Sequence, residues 1–483
     1  MKISYSAAVN SKSDLLICPY FEDKKSNIPY ETKIKKHLDP KLFKGKAGET
    51  LFVSSARILF LGLGKKSKLE SVEVRNNFAK AAKGLLNEKY NKIAVHWHSS
   101  LDNYVDEILE GILLVNHTIE KYKTGKALKK AKEKLFDELT VVAKTLPKNF
   151  KKQASIIVKL VDAVHYVRDL VTGPPNIITV DYCANEAKKI ARANGSTVKV
   201  HDKAWLQKMK MGAILGVNAG SGNKGAKLVV LDYKPKKLSK KDPIIIIGKG
   251  LIFDSGGYNL KPTKHIEDMQ QDMAGGAVVF GLFKILKELG LKRRVIGIVP
   301  LTENMIDSNA QRPSDIVTAY NGKTIEIRNT DAEGRLILAD ALAYGVEQFK
   351  PEYTIDIATL TGACIVALGD RYAGLIGNDE KLNKKLIEAG KKTDELLWEL
   401  PLHKDFSEAM KGLIGDLRNA DNGTSYLAGT SKAGSFLQNF VDKAKWAHLD
   451  IAGTAYVQKP HAVESQFGTG FGVRILAEFL KGL

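Results

Sequence analysis

The sequence predicts an α/β protein of two domains: a smaller N-terminal α/β domain over residues 1–150, and a larger C-terminal domain over 151–483 with a central mixed sheet flanked by helices. Three observations lead there. At 483 residues the chain exceeds what one hydrophobic core ordinarily organises. Strand-like apolar runs alternate with stretches of helical spacing. The four consecutive isoleucines at 244–247 have the unbroken apolar character of a strand covered on both faces.

In the N-terminal domain, Asp14–Cys18, Ala56–Gly62 and Lys92–His96 read as strands, with helical stretches between and after them. The turn Gly62-Leu-Gly64-Lys65-Lys66-Ser67 invites comparison with a phosphate loop. Leu59, however, stands where the first glycine of GxxxxGK[ST] belongs, and Lys66 follows the lysine in place of Ser or Thr. No chemistry is assigned to this domain. Pro147 and the basic run after it mark a boundary near 145–155. From Ile156 to Leu170 apolar residues at helical spacing predict a connecting helix that stops before Thr172-Gly173-Pro174-Pro175.

Further on, Gly220-Ser-Gly222-Asn-Lys-Gly225 satisfies GxGxxG in its letters only. The adjoining segment, Ala226–Asp232, is strand-like where a dinucleotide site requires a helix, so the stretch is read as a loop. The isoleucine strand leads into Gly248–Gly257, read as two glycine-bracketed turns carrying Lys249 and Asp254. Lys261-Pro262 and the segment Asp268–Asp272 come next, and an apolar helix is predicted over Ala277–Leu286. Thr324–Arg328 alternates polar and apolar residues as a half-buried strand does, and Leu336–Tyr344 has helical spacing.

Between those two elements stands Asn329-Thr-Asp331-Ala-Glu333-Gly334-Arg335, at a strand end, where ligands bind in open α/β sheets. Asp331 and Glu333 also admit a plainer account, as acids favoured at a helix N-terminus. That account leaves Gly334 unexplained, and with it Arg335, a cation in a first turn that prefers anions. Carboxylates gathered with two lysines and an arginine in an apolar frame are the composition of a site for divalent metal ions.

Composition narrows the class. Hydrophobic content of 44% with 27% charged residues is that of a globular protein. The first ten residues lack the long apolar core of a signal peptide, and no apolar run reaches the length of a membrane span, so a cytoplasmic protein with no membrane partner is expected. Cys18, Cys183 and Cys364 are far apart and odd in number, which implies neither a disulfide framework nor a CxxC metal site. The formal charge of +20 comes from lysine-rich stretches without aromatic interleaving. They are read as solvated faces, with DNA binding the less favoured alternative. There is no HExxH, and His448 beside Asp450 is read as a structural hydrogen-bonding residue.

The motifs GKGLIFDSGG at 248–257, KP at 261–262, DMAGGA at 272–277 and NTDAEGRL at 329–336 stand in the order and spacing of the leucyl aminopeptidase family, the M17 metallopeptidases, which the chain resembles from about residue 160 onward. The likeness continues through LTEN at 301–304, ATLTGAC at 358–364 and WAHLDIAGTA at 446–455.

The resemblance implies a metal-dependent aminopeptidase that releases leucine and similar apolar residues from peptides with a free N-terminus, by attack of a two-metal-activated water. It implies two divalent ions per subunit, Zn or Mn in first place and Mg or Co after them. Asp254 and Glu333 would bridge the ions, Asp331 would bind one, and Lys249 and Asp272 the other. Lys249 can ligate only as the neutral amine; a salt bridge to Asp254 or Asp272 is its alternative role. Lys261 would stabilise the oxyanion, and Arg335 would hold a bicarbonate that serves as general base, unless it pairs with Asp331 or Glu333 instead. Met269, Thr359, Leu360, Gly362 and Ala452 would line the substrate pocket. Gln270 stands where the family commonly has lysine. A homohexamer is the assembly implied.

Overall fold

The computed structural model describes residues 1–8, 14–23, 32–39, 41–86, 88, 90–222, 224–421 and 427–483. Residues 9 and 10 of the N-terminal stretch and Asn223 of the glycine-rich stretch lie outside them. Two compact units form: Met1–His165 with Lys459–Ser465, and Tyr166–Gln458 with Gln466–Leu483. The division thus falls later than residue 150, inside the helix Phe150–Thr172, because that predicted connecting helix runs unbroken past the expected boundary. Among the described residues no helix is long and apolar enough to cross a membrane.

The first unit holds a six-stranded sheet of β1 (Lys2–Ser6), β2 (Leu15–Tyr20), β3 (Thr50–Val53), β4 (Ile58–Gly62), β5 (Lys92–His96) and β6 (Glu138–Val142), in the order β1-β6-β5-β2-β4-β3. Every pair is parallel except β3 with β4. The three strands legible in the sequence, β2, β4 and β5, are consecutive in this sheet and carry its buried apolar runs. The short edge strand β3 alternates exposed and half-buried positions, which is too weak a pattern to read. Gly62 has a packing reason rather than a phosphate: a Cβ there would lie 2.1 Å from the Lys46 carbonyl oxygen.

The second unit is built on a nine-stranded mixed sheet. Its strands are β7 (Thr197–His201), β8 (Lys227–Tyr233), β9 (Ile244–Gly248), β10 (Gly250–Asp254), β11 (Val295–Asn304), β14 (Tyr353–Ala358), β15 (Tyr372–Gly377), β16 (Leu396–Glu399) and β18 (Trp446–Asp450). The order is β16-β15-β18-β14-β9-β11-β8-β7, with β10 added to β11. From β11 through β9 and β14 to β18 the pairing is parallel. β9 is buried at every position: Ile245 and Ile247 join the core with Leu336–Leu342 of the helix Gly334–Phe349, and the helix Ala274–Ile285 also packs on β9. The segment 227–233 after the glycine-rich stretch is a strand, as read.

Two local expectations change. Gly250–Asp254 is not a turn: it pairs in parallel with β11, because its middle is apolar and buried between layers. Of Thr324–Arg328 only Thr324–Glu326 (β13) is a strand, and it belongs to a separate three-stranded sheet with β12 (Ile316–Thr318) and β17 (Leu417–Arg418). The motif after it therefore owes its place to the helix Gly334–Phe349, which packs on the large sheet, and not to a strand of that sheet.

Candidate metal centre

The C-terminal ends of four parallel strands converge on one edge of the nine-stranded sheet, the edge at which open α/β sheets bind ligands. Lys249 comes directly after β9, Asp254 ends β10, Thr359 comes directly after β14 and Asp450 ends β18. The helix Gly334–Phe349 starts at that edge, so Glu333 and Arg335 flank its first residue. A 3₁₀ turn, Met269–Met273, brings Asp272 in just before the helix Ala274–Ile285. That helix comes close because Gly275 carries no side chain: a Cβ there would stand 2.0 Å from the Ile357 carbonyl oxygen. Gly334 plays the same part toward Lys249, whose Nζ would lie 2.6 Å from an added Cβ.

Carboxylate oxygens of Asp254, Asp272 and Glu333 lie within 4.8 Å of one another, and all three residues are buried. Lys249 Nζ stands 2.7 Å from Asp272 Oδ2 and 2.8 Å from Glu333 Oε1, and donates to the Thr359 carbonyl at 3.0 Å. Lys261 Nζ is 2.8 Å from Asp254 Oδ2 and 2.6 Å from Asp331 Oδ1. Asp272 Oδ2 and Asp331 Oδ1 are buried atoms that meet these ammoniums at ion-pair distance, and no other donor among the described residues satisfies them.

The electrostatics are those of four carboxylates against two ammoniums. Burial pulls Lys249 and Lys261 down, yet the carboxylates around each outweigh it and both stay strongly cationic. Burial pushes Asp272 up; Glu333 and Asp254 add to the push, and Lys249 opposes it. Asp331 is raised by burial and by Glu333 and Asp254, against Lys261. Buried negative charge in excess, presented by oxygen atoms with unused lone pairs, is what a divalent cation relieves. The residues present fit such an ion.

Arg335 is half-buried at the cavity wall, and desolvation lowers its pKa to about 10 although Glu333 and Asp450 act to raise it. Its Nη1 donates to the Asn419 carbonyl at 2.7 Å, while Nε has no hydrogen-bond partner. It pairs with neither Asp331 nor Glu333 at salt-bridge distance among the described residues. A cavity of about 440 Å³ is lined by Asp331, Arg335, Asn329, Leu360 and Gly362 among others. Met269, Thr359 and Ala452 lie outside its wall. Thr359 is committed elsewhere: its hydroxyl donates to Asp272 Oδ1 at 2.6 Å.

Several residues with work at this edge show nothing of that work in the sequence, although Asn304 and Asp450 stand in the LTEN and WAHLDIAGTA motifs. Asn304, at the end of β11, donates to Asp254 Oδ1 at 2.8 Å and to the Thr330 carbonyl at 3.1 Å, tying a cluster acid to the motif. Asp450 accepts from the Leu360 N–H at 3.1 Å and the Thr361 hydroxyl at 2.7 Å, and so shapes the loop after β14. Asn419 comes from a loop with neither periodicity nor motif. His448 is structural as read: its Nδ1 lies 2.6 Å from Asp356 Oδ1, deep in the sheet. Cys364 is buried, its thiol pushed up chiefly by burial.

The likeness to known proteins covers the whole chain. The sequence model described as the cytosol aminopeptidase family, catalytic domain, matches residues 165–477, and that of the family's N-terminal domain matches residues 19–126. A probable cytosol aminopeptidase of Protochlamydia amoebophila (strain UWE25) is 39% identical over 498 residues, covering 98% of this chain and 96% of the relative. One of Geobacter sp. (strain M21) is 37% identical over 501 residues, covering 100% and 99%. Among solved structures, the bottromycin maturation enzyme BotP in complex with Mn superposes with a TM-score of 0.84 at 27% identity, over 97% of this chain and 99% of that one.

Proposed function

Because the chain belongs to the cytosol aminopeptidase family, whose members are metal-dependent aminopeptidases, we propose that it releases leucine and similar apolar residues from the free N-termini of peptides at a site for two divalent ions. The observation that carries this reading is the buried triad Asp254, Asp272 and Glu333, with Asp331, Lys249 and Lys261 packed into it.

In this reading Asp254, Asp272, Asp331 and Glu333 would hold the ions, with Lys249 as a nitrogen ligand once neutral. Zn or Mn suits such a mixed oxygen and nitrogen set, and the Mn named with BotP supports Mn. When bound, the ions supply Lewis acidity, which makes water a nucleophile near neutral pH and anchors the substrate's α-amine. Lys249 ligates only after releasing its proton, so loading of the site is coupled to pH. Asp272 is held for this task by the Thr359 hydroxyl. Lys261, held cationic by Asp254 and Asp331, would stabilise the charge that develops on the carbonyl oxygen in the transition state. Arg335, whose Nε has no hydrogen-bond partner and which lines the cavity, would hold a bicarbonate that could serve as general base. Leu360, Gly362, Ala363 and Met410 supply the apolar part of that cavity's wall, beside the charged Arg328, Asp421 and Lys432. An apolar pocket separates side chains by only about 1–3 kcal/mol per methylene, so a broad range of residues is accepted.

The test is release of p-nitroaniline from leucine p-nitroanilide and from its N-acetyl derivative, on chelator-treated protein before and after addition of Zn²⁺, Mn²⁺ or Mg²⁺. Only the free-amine substrate should be cleaved, only with metal, and not by Asp331→Ala. Cleavage of the acetylated substrate, or activity that survives chelation, overturns the reading.

A further inference from the structure

Asn419 is wholly buried, at 0% exposure, and among the described residues its polar groups meet the metal-binding motif or the strand and turn before it. Its side-chain oxygen accepts from the Arg328 N–H at 2.8 Å and the Asn329 N–H at 3.2 Å. Its side-chain nitrogen donates to the Asn329 carbonyl at 2.6 Å and the Ala332 carbonyl at 3.4 Å. Its own carbonyl receives Nη1 of Arg335 at 2.7 Å, and its N–H donates to the Glu326 carbonyl at 3.0 Å. The small sheet explains how it arrives there. β17 runs parallel to β13, with Leu417 opposite Ile325 and Arg418 opposite Glu326, so the residue after β17 is delivered beside the residues after β13. The carboxylate of Glu326 anchors the preceding loop by accepting the N–H groups of Leu413, Ile414 and Gly415.

We propose that Asn419 is a positioning residue for the reaction: its amide clamps the backbone of 328–332 while its carbonyl holds Arg335, so that Asp331, Glu333 and the guanidinium reach the site as one rigid unit. An amide is the side chain that does this, because it presents an acceptor and a donor on one plane, as a neighbouring strand would. Aspartate keeps the acceptor and loses the donor. Alanine leaves buried N–H and C=O groups without partners, and these then seek others by moving the loop. The clamped unit carries Asp331 and Glu333 and one part of the cavity wall, while Leu360 and Gly362, elsewhere in that wall, stand on a segment to which Asn419 makes no hydrogen bond among the described residues. Its loss therefore acts on metal loading and turnover more than on substrate binding.

The proposal rests on the metalloaminopeptidase reading, and the experiment separates the two. Mn²⁺ is titrated calorimetrically into chelator-stripped wild type, Asn419→Ala and Asn419→Asp, with kcat and KM for leucine p-nitroanilide and thermal unfolding measured beside it. The alanine variant should bind Mn²⁺ about 10- to 100-fold more weakly and lose kcat in similar measure, the range usual for residues that orient metal ligands. KM should stay within about threefold, and kcat of the aspartate variant should fall between alanine and wild type. Native kcat and native Mn²⁺ affinity in a folded alanine variant overturn the proposal. If alanine does not fold, native kcat in a folded aspartate variant overturns it. A wild type that binds no Mn²⁺ and cleaves nothing overturns the underlying reading instead.

Discussion

Two lysines contact the same carboxylate cluster yet differ in what they can do. Lys249 is buried between Asp272 and Glu333, where an ammonium compensates charge and a neutral amine would become a ligand. Lys261 is less enclosed and faces Asp254 and Asp331 from the more open side, where an ammonium can reach a substrate oxygen. Lys261→Met should lower kcat for leucine p-nitroanilide by about 10²- to 10³-fold with little change in KM, as expected when a donor to a developing oxyanion is lost. Steady-state kinetics at saturating Mn²⁺ checks this.

His448 gives a pH prediction. Burial pulls its pKa down, but Asp356 more than compensates, with Asp450 adding to the rise and Arg335 opposing it, and the folded-state value lies above the ordinary 6.5. A histidine raised in this way contributes its full stability below about pH 6.5 and loses it as pH rises through the folded-state value. The difference in chemical unfolding stability between wild type and Asp356→Asn should therefore be largest at about pH 6 and shrink toward about pH 9.

At the scale of elements, the approach of the helix Ala274–Ile285 to β9 and β14 decides where Asp272 stands. The Gly276 N–H donates to the Lys249 carbonyl at 2.7 Å, and the Lys249 N–H to the Ile357 carbonyl at 3.1 Å, so helix and strands are stitched at the residues that bear the chemistry. Gly275→Ala should destabilise the protein by at least about 1–3 kcal/mol, since the clash is with rigid backbone. A lowered midpoint in thermal unfolding, with metal-dependent activity lost, checks it. The helix Gly334–Phe349 does two jobs. Leu336–Leu342 are buried in the core, while its N-terminus presents Glu333 and Arg335 at the strand edge.

For the whole molecule, the site gathers four buried or half-buried carboxylates in one place, and a bound ion should therefore act as a structural ligand too. Any ligand that binds only the folded state stabilises it, by about 2.7 kcal/mol at a free concentration of 100 Kd. Chelator-treated protein should unfold at a temperature several degrees lower than the same protein with Mn²⁺ added back, and Asp331→Ala should show a smaller rise. Differential scanning calorimetry measures both.

The sequence alone marked the charged residues of the site and the strands β2, β4, β5, β8 and β9, but not β11, β14 or β18 in the middle of the large sheet. Lys249, Asp254, Lys261, Asp272, Asp331, Glu333 and Arg335 lie in compact motifs, and the isoleucines of β9 or the apolar runs of β2, β4 and β5 are local patterns that a one-dimensional reading can track. Tertiary structure decided what depends on residues far apart in the chain. Thr359 belongs to Asp272 and not to the cavity wall because β14 ends beside the 3₁₀ turn. The strand before the acidic motif joins a satellite sheet because its partner lies about ninety residues later, at Leu417. Asn419 reaches the motif by that same pairing. A hydrogen bond between residues ninety positions apart leaves no periodicity to read, since it is the folded backbone that sets the distance between them.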